Sequence, residues 1–328
     1  MNLSDLIEAN DPDGLLRHIE TLVTSRVWEG IVEVRDRCNE AVGRGKELWG
    51  VAAYAEYRLA LDAPGEWAAQ VLREGTGRHG LGPLWEVAAS THPYLELVGG
   101  IADGRMRTLV AAERTLRGED LSDADGLELD LLGTPVTLAS FESHYRPATY
   151  RSDRVEAPEP ELRTSFGHVE CVPGDAGDPD EVTEALYGLV APWAEQSTGS
   201  CLLSAVIGGA GDAFGVLHPG EVRAVDLDAS EALALMAWAG ASGGTFGRRR
   251  GGDVGRSLAW WVVAAAAGFT DQWPLRPRLM EEGLAGLQWI RFDPGPVGGW
   301  QLHVAVADRN ANRAWAVSAV DRVEGEPA

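Results

Sequence analysis

The sequence predicts an α+β protein: an all-α N-terminal domain, open to a HEAT- or TPR-like reading, followed by an α+β domain with a mainly antiparallel sheet. Three observations carry the prediction. Through the first ~120 residues, apolar side chains recur at the spacing of amphipathic helices. The final third holds short runs that alternate apolar and more polar residues between turn-forming positions. Between these lies a stretch that is first acidic (GEDLSDADGLELD) and then rich in Pro, Tyr and Arg (HYRPATYRSDRVEAPEPEL), where Pro147, Pro158 and Pro160 argue against a regular element. The expected domains are residues 1–139, helical; 140–162, a linker; and 163–328, α+β.

In the helical part, Ile31, Val34, Cys38 and Val42 fall near helical spacing, as do Trp49, Ala52, Ala53, Tyr54 and Tyr57. Breaks are expected at Gly43–Gly45, Ala63–Gly65, Gly80–Pro83 and His92–Pro93, with each Pro in the first turn of the helix that follows. Trp28, Trp49, Trp67 and Trp85 recur at intervals of 21, 18 and 18 residues. Two readings stay open: a two-helix repeat of ~36–40 residues, or an irregular bundle with large aromatic core residues.

In the second half, Thr164–Val172 reads as a strand. Asp178 is expected to cap a helix that starts at Pro179, uses Glu181 in a capping box and runs to about Glu195. Cys201–Ile207 and Val222–Asp228 read as strands, and Asp228 with Glu231 opens the helix SEALALMAWAG. A helix around Trp260 and Trp261 and another after Pro277 come next. Leu287–Phe292, Trp300–Ala307 and Arg313–Val320 form an antiparallel meander. In its middle strand Trp300, Leu302, Val304 and Val306 alternate with Gln301, His303, Ala305 and Ala307, which predicts one buried and one mildly polar face. Roughly five or six strands are expected in all.

Composition narrows the function classes. The formal net charge of -22 opposes general nucleic-acid binding, because phosphates would be repelled. The N-terminus is acidic where a signal peptide needs a basic region, and the apolar run Leu258–Phe269 falls short of the about 20 residues that span a bilayer. A cytoplasmic protein without membrane attachment is the expectation. The three cysteines (Cys38, Cys171, Cys201) imply no disulfide framework. Lys46 is the only lysine, so any Schiff-base or phosphate-loop lysine would have to be Lys46, in what reads as an ordinary helix start.

The candidate site residues centre on GGTFGRRRGGDVGRSLAWW, where Arg248, Arg249, Arg250 and Arg256 are concentrated on a Gly-rich connector. Guanidinium groups with backbone amides could hold a phosphate, a carboxylate or a partner's acidic side chains. The competing account is a surface loop whose arginines pair with the chain's own carboxylates. The loop lacks the Gly-Lys-Ser/Thr ending of a phosphate loop. GGAGDAFG (208–215) approaches a dinucleotide fingerprint, yet it has Phe214 for the third glycine and reads as a turn with no helix to cap a pyrophosphate. Asp226 and Asp228, with His303 on the polar face of the meander, form a possible pocket. Asp226 and Asp228, ending a strand as DLD, could hold a divalent metal, but the helix cap and the strand period account for them, and His168 and Cys171 lack a second ligand pair. Neither metal nor cofactor is expected. The remaining histidines, His18, His79, His92, His144 and His218, are scattered singly. Tyr145 and Tyr150 alternate with Arg146, Arg151 and Arg154 in a pattern that can clamp nucleic acid, but an ordered linker is the simpler reading.

Several longer segments resemble an actinobacterial group of proteins whose function is unassigned: ALMAWAGASGGTFGRRRGGDVGRSLAWW, LQWIRFDPG, GWQLHVAV and RAWAVSAVD, with WEGIVEVRDRCNEAVGRGKELWGVAAYAEYRLAL and GRHGLGPLWEVAAS nearer the start. The resemblance covers most of the chain. It implies source and intracellular location, and brings no activity or catalytic residues with it. No complete catalytic signature is present, so whether the chain is an enzyme stays open. The expected function is an intracellular protein-interaction or scaffold protein with the arginine loop as contact or anion-binding patch. The alternative is an enzyme or ligand-binding domain holding a phosphorylated or carboxylate ligand there. A protein partner is expected, an anionic small molecule is possible, and nucleic acid is the least favoured partner.

Overall fold

A computed structural model describes residues 2–77, 80–142, 145–295 and 298–322. Its fold is α+β, as the sequence predicts, with helices in the N-terminal part and an antiparallel sheet in the C-terminal part. The chain forms two compact units: Met1–Glu128 with Ala148–Glu156, and Leu129–Pro147 with Ala157–Ala328. The stretch read as a linker from 140 to 162 is thus shared between them. His79 and His144 lie outside the described residues.

The first unit contains α1 (Leu3–Glu8), α2 (Pro12–Thr24), α3 (Trp28–Gly43), α4 (Trp49–Asp62), α5 (Gly65–Ala68), α6 (Leu84–Thr91), α7 (Tyr94–Val98) and α8 (Gly104–Leu116). Ile31, Val34 and Cys38 of α3 are fully buried, and Val51, Ala52, Ala55, Leu59 and Ala60 supply the inner side of α4. Pro64, Pro83 and Pro93 occupy the capping positions of α5, α6 and α7, one residue ahead of the first turn. There their fixed φ sets the entry to the helix without removing an intrahelical donor. Helix lengths of 6, 13, 16, 14, 4, 8, 5 and 13 residues show no constant two-helix unit. Trp28, Trp49, Trp67 and Trp85 stand in the first turns of α3, α4, α5 and α6, and none is fully buried. Lys46 Nζ donates to the carbonyls of Ile7 and Glu8, both at 2.8 Å, and so closes the C-terminal end of α1.

Where the prolines led us to expect no regular element, β1 (Thr149–Tyr150) and β2 (Val155–Glu156) pair antiparallel. Four residues separate them, and all three prolines fall outside the pair, so its ladder is intact.

The second unit contains β3 (Gly167–Cys171), β4 (Asp175–Ala176), α9 (Glu181–Glu195), β5 (Ser200–Ile207), α10 (Ala210–Leu217), β6 (Gly220–Leu227), α11 (Ala229–Ala241), α12 (Gly252–Ala266) and α13 (Pro277–Gly286). The meander follows as β7 (Leu287–Asp293), β8 (Trp300–Asp308) and β9 (Arg313–Asp321). They form one seven-stranded sheet in the order β3-β6-β7-β8-β9-β5-β4, with every neighbouring pair antiparallel. One face packs on α9, α11, α12 and α13 through Trp289, Leu302, Val304, Val306, Trp315 and Val317.

Three local expectations are corrected. Asp180, not Asp178, caps α9, and its partner is Thr183 rather than Glu181. The Asp180 carboxylate also receives Arg313 Nη2 at 2.8 Å and Trp315 Nε1 at 2.9 Å, long-range contacts that local spacing does not show. GGAGDAFG is a helix start rather than a turn. Phe214 stacks on Phe292 with centroids 5.1 Å apart, and burial of Ala210, Ala213 and Phe214 overrides the poor helix propensity of the glycines. As a result the second face of the meander is covered too: Ala305, Ala307, Ala314 and Ala316 are buried beneath α10.

Candidate functional site

The arginine-bearing segment is held from inside the second unit. Thr245 N donates to Asp321 Oδ2 at 2.6 Å, Phe246 N to Ser197 Oγ at 3.0 Å and Gly244 N to Ser242 Oγ at 2.9 Å. Asp321 is fully buried, so the anion this Gly-rich loop binds through Thr245 is the chain's own carboxylate. Gly251 caps α12 at φ +107°, a conformation that favours glycine. A β-carbon at Gly255 would run into the carbonyl of Ala237, so Gly255 permits the close approach of α11 and α12.

The four arginines do not share one environment. Arg248 is exposed and Arg249 partly exposed. Arg250 turns onto α9, donating to Gly188 O at 2.8 Å and also to Leu189 O. Pro192 lies inside α9 and has no N–H to offer the Gly188 carbonyl four residues back; Arg250 supplies the missing donor. Burial holds the Arg250 guanidinium down at a pKa of about 10.

Arg256 is fully buried against an equally buried Glu142. Its Nε and Nη2 meet Glu142 Oε1 and Oε2 at 2.8 and 2.7 Å, and the remaining donors reach Pro135 O and Thr137 O. Glu142 also accepts from Tyr145 Oη at 2.7 Å, Trp260 Nε1 at 2.8 Å and Ala139 N at 3.0 Å. Burial pushes the Glu142 carboxyl up, but the bonds and charge of Arg256 outweigh it and leave the carboxyl below the usual range. Every oxygen is satisfied, as a buried carboxylate requires.

Asp226, Asp228 and His303 each bond to partners other than these arginines. Asp226 is exposed on β6 and accepts from Gln288 Nε2 at 2.9 Å. Asp228 caps α11 and pairs with Arg163 at 2.8 Å. His303 is buried, with Nδ1 2.9 Å from Ser318 Oγ, while His218 Nε2 reaches the same hydroxyl at 2.8 Å. Burial, aided by His218, holds the His303 pKa down at about 4, so the ring is neutral. His168 pairs with Glu221 on the surface. Tyr145 and Tyr150, for which a nucleic-acid clamp is the less favoured reading, face inward: Tyr145 to Glu142, and Tyr150 to Glu86 at 2.5 Å.

A concave feature with mixed aromatic and polar walls lies in the first unit. A cavity of about 790 Å³ opens between α2 and α4. Pro12, Leu16 and Glu20 recur every four residues and bring one stripe of α2 to it, with Arg17 alongside. On α4, Trp49, Ala53 and Tyr57 form the matching stripe and Gly50 and Tyr54 the next one, so two small residues leave space between three aromatic rings. Leu81, Glu47 and Asp153 contribute further to its walls.

Hydrogen bonds fix the two tyrosine rings. Tyr54 Oη donates to Glu20 Oε1 at 2.5 Å, and Tyr57 Oη donates to the carbonyl of Arg151. Arg58 pairs with both Glu20 and Asp62, and its guanidinium lies 5.7 Å from the Tyr54 ring centre. Burial opposes ionisation of Glu20, yet the bonds from Tyr54 and Arg58 prevail and lower its pKa; burial raises the Tyr54 and Tyr57 phenols. Trp49 remains 51% exposed at the start of α4. The volume falls in the range of ligand cavities, about 300–1,000 Å³, and the lining is apolar with a few placed polar groups. Sequence periodicity placed Trp49, Tyr54 and Tyr57 on one helix. It did not mark them as a site, because α2 and Asp153 come to them only through the fold.

These two units define a helical module with an open aromatic groove and an antiparallel α+β module that encloses the Arg256–Glu142 cluster. The chain belongs to a family of unknown function, DUF6183, whose model matches residues 13–322. No match was found among curated proteins or among solved structures. Among the described residues, no helix is long and apolar enough to cross a membrane.

Proposed function

We propose that this chain is a cytoplasmic protein-interaction protein that receives a segment of its partner in the groove between α2 and α4. The observation that carries the reading is the aromatic cavity of about 790 Å³, with the Trp49 ring half exposed at its wall. Exposed aromatic side chains in a preformed concavity are the usual anchors of recognition, since they bury large areas at low entropic cost. The exposed part of the arginine loop, Arg248 above all, offers a second contact for acidic groups. Arg250 and Arg256 are committed to the fold, which leaves an anion at that loop fewer donors than the sequence promised.

Affinity capture from a native lysate tests the reading, with wild type, Trp49→Ala and Arg248→Ala/Arg249→Ala as baits. Trp49→Ala is expected to lose at least one specific partner that the loop variant retains. Identical captures by all three baits would remove the groove from consideration.

A further inference from the structure

We infer that the groove between α2 and α4 selects a cationic side chain, an arginine or lysine on an extended peptide segment of a protein partner; the inference rests on the groove being the recognition surface. Its lining carries three carboxylates, Glu20, Glu47 and Asp153, and one guanidinium, Arg17; Glu20 is already countered by Arg58, so Glu47 and Asp153 are the carboxylates that would meet a cation. The whole chain bears a formal charge of -22, so a second copy of this chain is repelled while a basic segment is attracted.

The aromatic walls give that attraction a location. Tryptophan is the best ring for holding a cation over its face. Trp49 is half exposed, and Glu47 precedes it by two residues in the same lining. The adjoining wall already holds one guanidinium in this manner: Arg58 lies over Tyr54 and is countered by Glu20 and Asp62. A partner's arginine set against Trp49, Glu47 and Asp153 would repeat that arrangement on the open side. Asp153 is within 3.5 Å of Arg154 in an exposed pair, which the incoming cation would loosen at little cost. Leu16, Leu81 and the small residues Gly50 and Ala53 leave apolar space for the flanking side chains, more than a lone ammonium group would fill.

The test uses the full chain and three fluorescein-labelled peptides, Leu-Arg-Leu-Arg-Leu and its Gln and Glu analogues, each amidated at the C-terminus. Fluorescence polarisation is read at low and at 0.5 M salt, on the order of a threefold change in screening length. The Arg peptide is expected to bind at least tenfold tighter than the Gln peptide, with the Glu peptide weakest. Glu47→Gln/Asp153→Asn should bring the Arg peptide down to the Gln peptide's affinity, and Trp49→Ala should weaken all binding; thermal melting confirms that each variant is folded. Equal affinities of the Arg and Gln peptides would overturn the cation preference and leave the groove reading standing. An Arg-peptide affinity unchanged in Trp49→Ala would mean general attraction to an acidic surface, and would overturn the inference. If no peptide binds at either salt concentration, the groove reading falls with it.

Discussion

Two arginine–glutamate pairs in this chain use the same chemistry in opposite settings. In the second unit Arg256 pairs with Glu142, Tyr145 donates to that carboxylate, and the guanidinium lies 5.4 Å from the Trp260 ring centre. In the first unit Arg58 pairs with Glu20, Tyr54 donates to that carboxylate, and the guanidinium lies 5.7 Å from the Tyr54 ring centre. The first pair is 0% exposed on both sides; in the second, Arg58 is 7% exposed and Glu20 48%. Burial decides what each pair does. Glu142 has its oxygens filled and ties segment 129–147 to α12, whereas Glu20 shapes the wall of an open cavity.

The comparison breaks most readily at its buried end. Arg256→Ala would leave Glu142 as an uncompensated interior charge, with an expected loss of about 3–5 kcal/mol in urea unfolding. The variant should also reverse the acid response. In the wild type the Glu142 pKa is depressed, so its stabilisation is present above the unfolded value of 4.5 and is lost as pH falls below that. Without Arg256, the bonds from Ala139 and Tyr145 still lower the pKa, but burial, the largest influence, loses its main opponent and should raise it, so acid should narrow the gap between variant and wild type. A variant within 1 kcal/mol of wild type at neutral pH, roughly the worth of an exposed pair, would show that burial does not separate the two pairs.

His303 sharpens the comparison from the same unit. Its pKa is about 4 in the fold against 6.5 unfolded. Above pH 6.5 neither state binds the proton; between 6.5 and 4 the unfolded state binds it and the folded state does not. Stability should therefore fall by up to about 3 kcal/mol across that window. The facing groups are His218, Asp293 and Arg291, of which His218 and Arg291 hold the pKa down and Asp293 acts the other way. Unfolding midpoints from pH 7.5 to 4.5 should drop more steeply for wild type than for His303→Gln. Parallel curves would sink this account.

Arg250 is the intermediate case, partly buried and bonded to backbone rather than to a carboxylate. Arg250→Met should cost about 1–3 kcal/mol, the penalty of leaving the Gly188 carbonyl without its donor. Pro192→Ala in that background restores an amide N–H to α9 and should recover part of the loss. If Pro192→Ala gives no recovery, Arg250 contributes by packing and not by replacing the absent donor.

How much of this was legible in sequence follows from the range of each interaction. The capping of α11 by Asp228 and Glu231 is local and could be read directly. So could the meander, because alternation and turn residues belong to the strands themselves. The cap of α9 was misplaced because Asp178 and Asp180 both offer an acceptor to a following helix, and Arg313 and Trp315 on a distant strand belong to the choice. The arginine cluster was conspicuous because sequence displays charge without burial. Arg256 and Glu142 are 114 positions apart, and nothing local marks them as partners. The groove was inconspicuous for the converse reason: Trp49, Ala53 and Tyr57 are an ordinary helical stripe until Leu16 and Glu20 face them.

The smallest expected effect lies at the open end of the comparison. Glu20→Gln keeps an acceptor for Tyr54 and Arg58 and removes only a charge that is half exposed, and Arg58 retains Asp62 as its second carboxylate. The stability change should stay below about 1 kcal/mol, the usual worth of an exposed pair, and should shrink further at high salt. Because the amide can still anchor Tyr54, the aromatic wall should keep its shape, and near-ultraviolet circular dichroism should match wild type. A loss comparable to that of Arg256→Ala would show that Glu20 holds the helices of the first unit together. The pair would then be a second structural lock, with no part to spare for the cavity it lines.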